Sequence, residues 1–205
     1  TEALTHTDLP NVDTIEIYNP TASPVDLNGW YLTDDFNTPR KFRIHDRPLL
    51  LAGSYATFDE NDFNAVPSAP GSFSLSSKGD EVYLFSADTN GNLTGYFNGF
   101  AFGAGENGVS FGRYVNSMGQ EQFVAQTSLT LGSANSGPRV GPVVISEIHY
   151  HPPDDADGSD NALDEFIELK NITAGTIQFF DPLFPNSTWH LHGVVDFDFP
   201  THVTL

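Results

Sequence analysis

The chain of 205 residues contains no cysteine. That absence excludes disulfide staples, zinc–thiolate sites and a cysteine nucleophile, while leaving the compartment open. Basic residues are scarce, 8 Lys and Arg against 27 Asp and Glu, for a net charge of −19. Nucleic acids are held chiefly by cations that neutralise phosphates, so DNA or RNA is not an expected partner. No stretch approaches the roughly 20 apolar residues that span a bilayer. The opening TEALTHTDLP also lacks the basic and apolar regions of a signal peptide. On that reading a signal has been removed, or the chain is a piece of something longer.

What is present is the composition of many short strands. Seventeen Phe, 18 Gly and 14 Pro accompany a single Met, and short apolar runs alternate between turn residues with no helical period. The expectation is an all-β chain. Strands are predicted at 14–18, 30–33, 41–45, 54–58, 81–86, 95–102, 109–115, 122–125, 143–150 and 166–171, punctuated by KGD, TNGN, GAGENG and NSMGQ. The breaker-rich GSANSGPRVGP, residues 132–142, reads as a boundary. We divide the chain into a domain at 1–137, a linker at 138–142 and a second unit at 143–205.

An internal echo supports this division. TIEIYN near Ile15 returns as FIELKN near Ile167, and after a longer connection Trp30 matches Trp189 and Leu32 matches Leu191. Phe42 and Ile44 align with Phe197 and Phe199 after a shorter connection. The second unit therefore reads as the N-terminal part of another copy.

The first copy resembles the lamin-tail domain family. The resemblance rests on IEIYNPTASPVDLNGWYLTD, LLLAGSY, FSLSSKGDEVYLF, VSFGRY and SLTLGSANSG, in that order, and covers about 13–137 and, in part, 143–205. It implies an immunoglobulin-like β-sandwich of a type found in nuclear lamins and in secreted or surface-anchored bacterial proteins, with no common catalytic residues. Secretion or display at the cell surface is the localisation it implies. Residues 1–12 look too polar and too broken by Pro10 to supply the first strand of that sandwich. The first domain is accordingly expected to lack it, with VVISEIHY at 143–150 filling the vacancy within the chain or by exchange with a neighbouring molecule.

The motifs with catalytic overtones do not fit their required settings. GAGENG at 103–108 satisfies G-x-G-x-x-G, but a strand follows it where a dinucleotide site needs a helix. GVSFG at 108–112 satisfies G-x-S-x-G, yet it reads as a strand running through Ser110 where a nucleophile elbow needs a strand-to-helix turn.

Two candidate binding features remain, with two pairs of histidines. Asp154, Asp155, Asp157, Asp160, Asp164 and Glu165 crowd one loop around Gly158, a density of hard oxygen ligands that suits calcium as a cofactor. A solvated acidic loop is the simpler reading. Arg40, Lys41, Arg43 and Arg47 hold half of all basic residues, either as a docking patch for an acidic protein or glycan or as a charge-protected edge strand. His149/His151 and His190/His192 each have the spacing that places two imidazoles on one strand face, the arrangement a zinc or nickel site could use if the two strands were neighbours, although exposed strand histidines without a metal are commoner. Trp30 and Trp189 are expected in cores, the first with Ile15, Ile17, Leu32, Phe42, Ile44, Leu50, Tyr55, Phe73, Leu75, Val82, Leu84, Phe97 and Phe111 in one sandwich core. The reading that follows is a non-catalytic β-sandwich module of a larger secreted or surface protein, a spacer or an adhesion domain. The alternative is a metal-dependent hydrolase or calcium-dependent binding domain using the acidic loop.

Overall fold

The computed structural model describes residues 1–193 and 195–205, in two compact units, Thr1–Arg139 and Val140–Leu205. Nine strands build the first unit: β1 Glu2–Leu4, β2 Thr14–Tyr18, β3 Tyr31–Thr33, β4 Phe42–Arg43, β5 Tyr55–Asp59, β6 Gly79–Ala87, β7 Leu93–Gly103, β8 Phe111–Val115 and β9 Glu121–Ala125 follow one another in sequence. One turn of helix, α1 Glu60–Phe63, follows β5 behind a capping box formed by Asp59 and Asp62.

These strands form two antiparallel sheets, ordered β5-β2-β1-β8-β9 and β4-β3-β6-β7, which pack as an immunoglobulin-like β-sandwich. Register explains the core. Phe58 pairs with Ile15, Ile15 with Ala3, Ala3 with Phe111 and Phe111 with Ala125. This row crosses all five strands and faces inward, because residues directly opposite one another share a sheet face. It packs with Leu32, Ile44, Val82 and Phe102 in one cluster. Phe102 stacks on Phe111 at 5.2 Å between ring centroids, and Phe42 meets Phe58 edge-on at 6.4 Å.

The first strand is where expectation and structure part. Glu2–Leu4 lies between β2 and β8, so no vacancy exists for a borrowed strand. Val143–His149 pairs instead with Phe166–Asn171 in its own unit, which overturns the predicted filling of the first domain by 143–150. The TEALT segment reads as polar only because the sequence does not show what covers Glu2. Parity corrects two core assignments as well. Tyr55 sits opposite Tyr18, on the face turned away from Phe58. Phe97 is 49% exposed on the outer face, where it meets Phe85 and Phe36, since β7 carries aromatics at both parities. Trp30 is only half-buried, against Tyr96 at the rim.

In the second unit β10 Val143–His149 pairs antiparallel with β11 Phe166–Asn171, with a bulge between Ile145 and Glu147. A short hairpin joins β12 His190–Leu191 to β13 Phe197–Asp198. Phe179 is the buried centre, 3% exposed, stacked on Trp189 at 5.0 Å and edge-on to Phe199 at 4.6 Å. Trp189 itself, expected in a core, remains 40% exposed, and Ile145, Ile148, Phe184 and Phe197 are exposed too.

Several hydrogen bonds recur between the units at matched places. Asn19 Nδ2 donates to the carbonyls of Ser23 and Leu50, and its Oδ1 accepts from the Thr21 amide and hydroxyl. Asn171 does the same with Gly175, Leu205 and Thr173. Val25 and Leu50 exchange a pair of backbone bonds, as do Ile177 and Leu205. The Ile44 amide donates to the Trp30 carbonyl, and the Phe199 amide to that of Trp189.

Candidate binding surfaces

The acidic loop connects β10 to β11, and a single 3-10 turn, Ala162–Asp164, precedes the second strand. Its carboxylates do not converge as one cage. Asp157 Oδ1 accepts from the Ser159 amide and hydroxyl, at 3.0 and 2.6 Å; the hydroxyl first and the amide second hold its carboxyl below the ordinary range. Asp164 accepts from the Asn161 amide group at 2.7 Å, and Glu165 from the His151 backbone at 3.1 Å. The Asp155 backbone closes a tight turn with Ser159 and Gly158. Asp154 and Asp160 come together with His151, one donor atom of each lying within 4.8 Å of the others. Calcium takes six to eight oxygens, and this group presents two carboxylates and a nitrogen.

The basic stretch is largely engaged within the first unit. Lys41 forms an ion pair with Asp34. Arg43 donates to the Thr89 carbonyl at 3.2 Å from the edge strand β4. Arg47 reaches Asp62 while its guanidinium lies 4.6 Å from the centre of the Phe58 ring. Arg40 is exposed and makes no ion pair among the described residues. On the outer face of β6 and β7, Phe36, Tyr83, Phe85 and Phe97 form an aromatic patch that sequence reasoning missed by placing Phe97 inside.

A second feature missed from sequence is a pair of buried carboxylates. Glu2 and Glu16 face each other across β1 and β2, each 1% exposed, because the loop at 126–137 folds over them. Glu2 accepts hydrogen bonds from the Ser110 hydroxyl, the Thr130 amide and the Thr130 hydroxyl. Glu16 Oε2 accepts from the Gly132 amide, whereas Oε1 has no partner among the described residues. Ser110, which the G-x-S-x-G pattern singled out, therefore donates to a carboxylate in the interior and is itself 1% exposed.

Burial pushes the Glu16 carboxyl from 4.5 up to about 7, the Gly132 amide offsetting part of the rise and the facing Glu2 adding to it. The folded state thus holds this proton more tightly than the unfolded chain. The contribution of Glu16 to stability is fully present below about 4.5 and is lost as pH rises through about 7. Glu16→Gln should remove that slope, matching the parent near pH 4.5 and exceeding it by roughly 1–2 kcal/mol at pH 8. Urea titrations at the two pH values check it; a variant less stable than the parent at pH 8 contradicts the assignment.

Compared with known proteins, residues 2–97 match the model of the Lamin Tail Domain family. Neither the curated proteins nor the solved structures compared with the chain include a match.

Proposed function

We propose that the chain, whose residues 2–97 match the Lamin Tail Domain family, serves as a non-catalytic spacer or interaction module in a larger secreted or cell-surface protein, built from successive lamin-tail units. One observation carries the reading: the Asn–Thr hydrogen-bond network of the first unit returns around Asn171 and Thr173 in the second. A turn that repeats to the individual donor and acceptor is the mark of one fold used twice. The fold itself does not specify a ligand, since a sandwich hosts many functions.

The excess of acid supports an exterior role, as a high net charge keeps a displayed module soluble and discourages non-specific association. An acidic protein or glycan would approach the first unit at Arg40, the exposed member of its basic stretch with neither an ion pair nor a side-chain hydrogen bond among the described residues. Calcium-dependent interaction through 154–165 is the second reading, favoured by the convergence of Asp154 and Asp160 beside His151.

Protease shaving of intact source cells tests the placement. An epitope in the first unit should be lost before lysis or be recovered from the medium. Protection until the cells are broken would overturn the secreted or surface assignment.

A further inference from the structure

The β12–β13 hairpin gathers four side chains with metal-binding atoms. His190 and His192 are two residues apart and lie on one face, their ring centroids 5.8 Å apart and the ring planes inclined by 27°. Asp198, directly opposite His190 in the ladder, takes its Nδ1 at 2.6 Å. That bond turns the Nε2 of His190 toward Asp196, whose Oδ1 is 3.5 Å away. The same oxygen lies 2.7 Å from the Nδ1 of His192. One donor atom from each of His190, His192 and Asp196 therefore lies within 4.8 Å of the others.

Ligands about 2.0–2.1 Å from a tetrahedral ion stand about 3.3 Å apart, so modest rotations of these exposed side chains would seat an ion among the three. Imidazole nitrogen with a carboxylate suits zinc, whereas calcium takes oxygen. The carboxylate on the far nitrogen of His190 is the usual partner of a metal-bound histidine, fixing its tautomer and ring orientation. The unit's 11 acidic residues against one basic, counted over 143–205, add a field that draws cations.

The first unit shows that this chemistry is not a requirement of the hairpin. There Tyr31 pairs with Arg43 and Leu32 with Phe42, the same ladder as His190 with Asp198 and Leu191 with Phe197. The apolar pair is retained as Leu and Phe. At the polar pair, and at Thr33 matching His192, the first unit has no comparable ligand set. Its connection is also longer, running through 34–41 where the second hairpin uses 192–196.

We propose that His190, His192 and Asp196 bind zinc, with Asp198 as a positioning residue and the fourth coordination place open to water. Only side chains of the second unit enter the site, so it stands whether or not the module is displayed outside the cell.

Titration of the full chain with zinc chloride, followed by calorimetry and by histidine side-chain nitrogen spectra, tests the proposal. Zinc should shift the Nε2 resonance of His190 and the Nδ1 resonance of His192. His192→Ala and Asp196→Asn should each weaken binding at least 10-fold. Asp198→Asn should weaken it about 10-fold while the same two nitrogens still report the metal, which separates orientation from ligation. These side chains are exposed, and unchanged near-ultraviolet dichroism from Trp189 would certify each variant as folded. Shifts confined to His149 and His151 would place the ion at the acidic loop and overturn the assignment. So would an affinity unaffected by His192→Ala and Asp196→Asn, or silence of both histidines at millimolar zinc.

Discussion

Phe58→Ala should lower the unfolding free energy of the first unit by about 3–5 kcal/mol, the range for removing a buried aromatic ring without refilling its space. Phe58 is fully buried, at one end of the row that crosses the five-stranded sheet. It packs against Phe42 and beneath the Arg47 guanidinium. Truncation therefore removes inter-sheet packing and leaves Arg47 over a cavity. Phe97 provides the comparison, because it lies outside the sandwich core and is 49% exposed. Phe97→Ala should cost less than half as much. Urea denaturation read by tryptophan fluorescence decides the matter; equal losses would mean that the inward and outward faces of the sandwich have been exchanged.

Asn19→Ala should cost about 3 kcal/mol, because it strands several groups at once. Asn19 is 3% exposed and its Nδ2 donates to the carbonyls of Ser23, Leu50 and Leu51 at 2.9–3.2 Å. Its Oδ1 holds the Thr21 amide and hydroxyl. A buried group left unpaired costs about 1–3 kcal/mol, and only some of these can turn to water. Asn19→Asp keeps the acceptors and loses the donors, so it should fall between parent and alanine at neutral pH. An alanine variant as stable as the parent would show that the turn is held by its backbone alone.

How far the fold could be read in advance depended on what each residue's neighbours were. β2 and β3 were legible because alternating apolar residues sit between strong turn formers, and the matching of Trp30, Leu32 and Phe42 to the second unit followed from side-chain types alone. β1 was not, since Glu2 is tolerated in a buried strand only when Ser110 and Thr130 supply hydrogen bonds from more than a hundred residues away. In β7 the presence of Tyr96, Phe97, Phe100 and Phe102 at both parities removed the alternation that would have separated core from surface. Among the candidate sites, the density of carboxylates at 154–165 was plain, but their separate pairing with Ser159, Asn161 and the His151 backbone depends on local turns. The spacing of His190 and His192 pointed to a shared face. The approach of Asp196 and Asp198 required the hairpin register, which only the fold supplies.

The central claim is that the second unit is built on the framework of the first. Hydrogen-bond scalar couplings across N–H···O=C in the full chain address it directly. The account predicts couplings from Val25 to Leu50 and from Ile44 to Trp30 in the first unit, and from Ile177 to Leu205 and from Phe199 to Trp189 in the second. Couplings seen in the first unit and missing from both matched places in the second would contradict it.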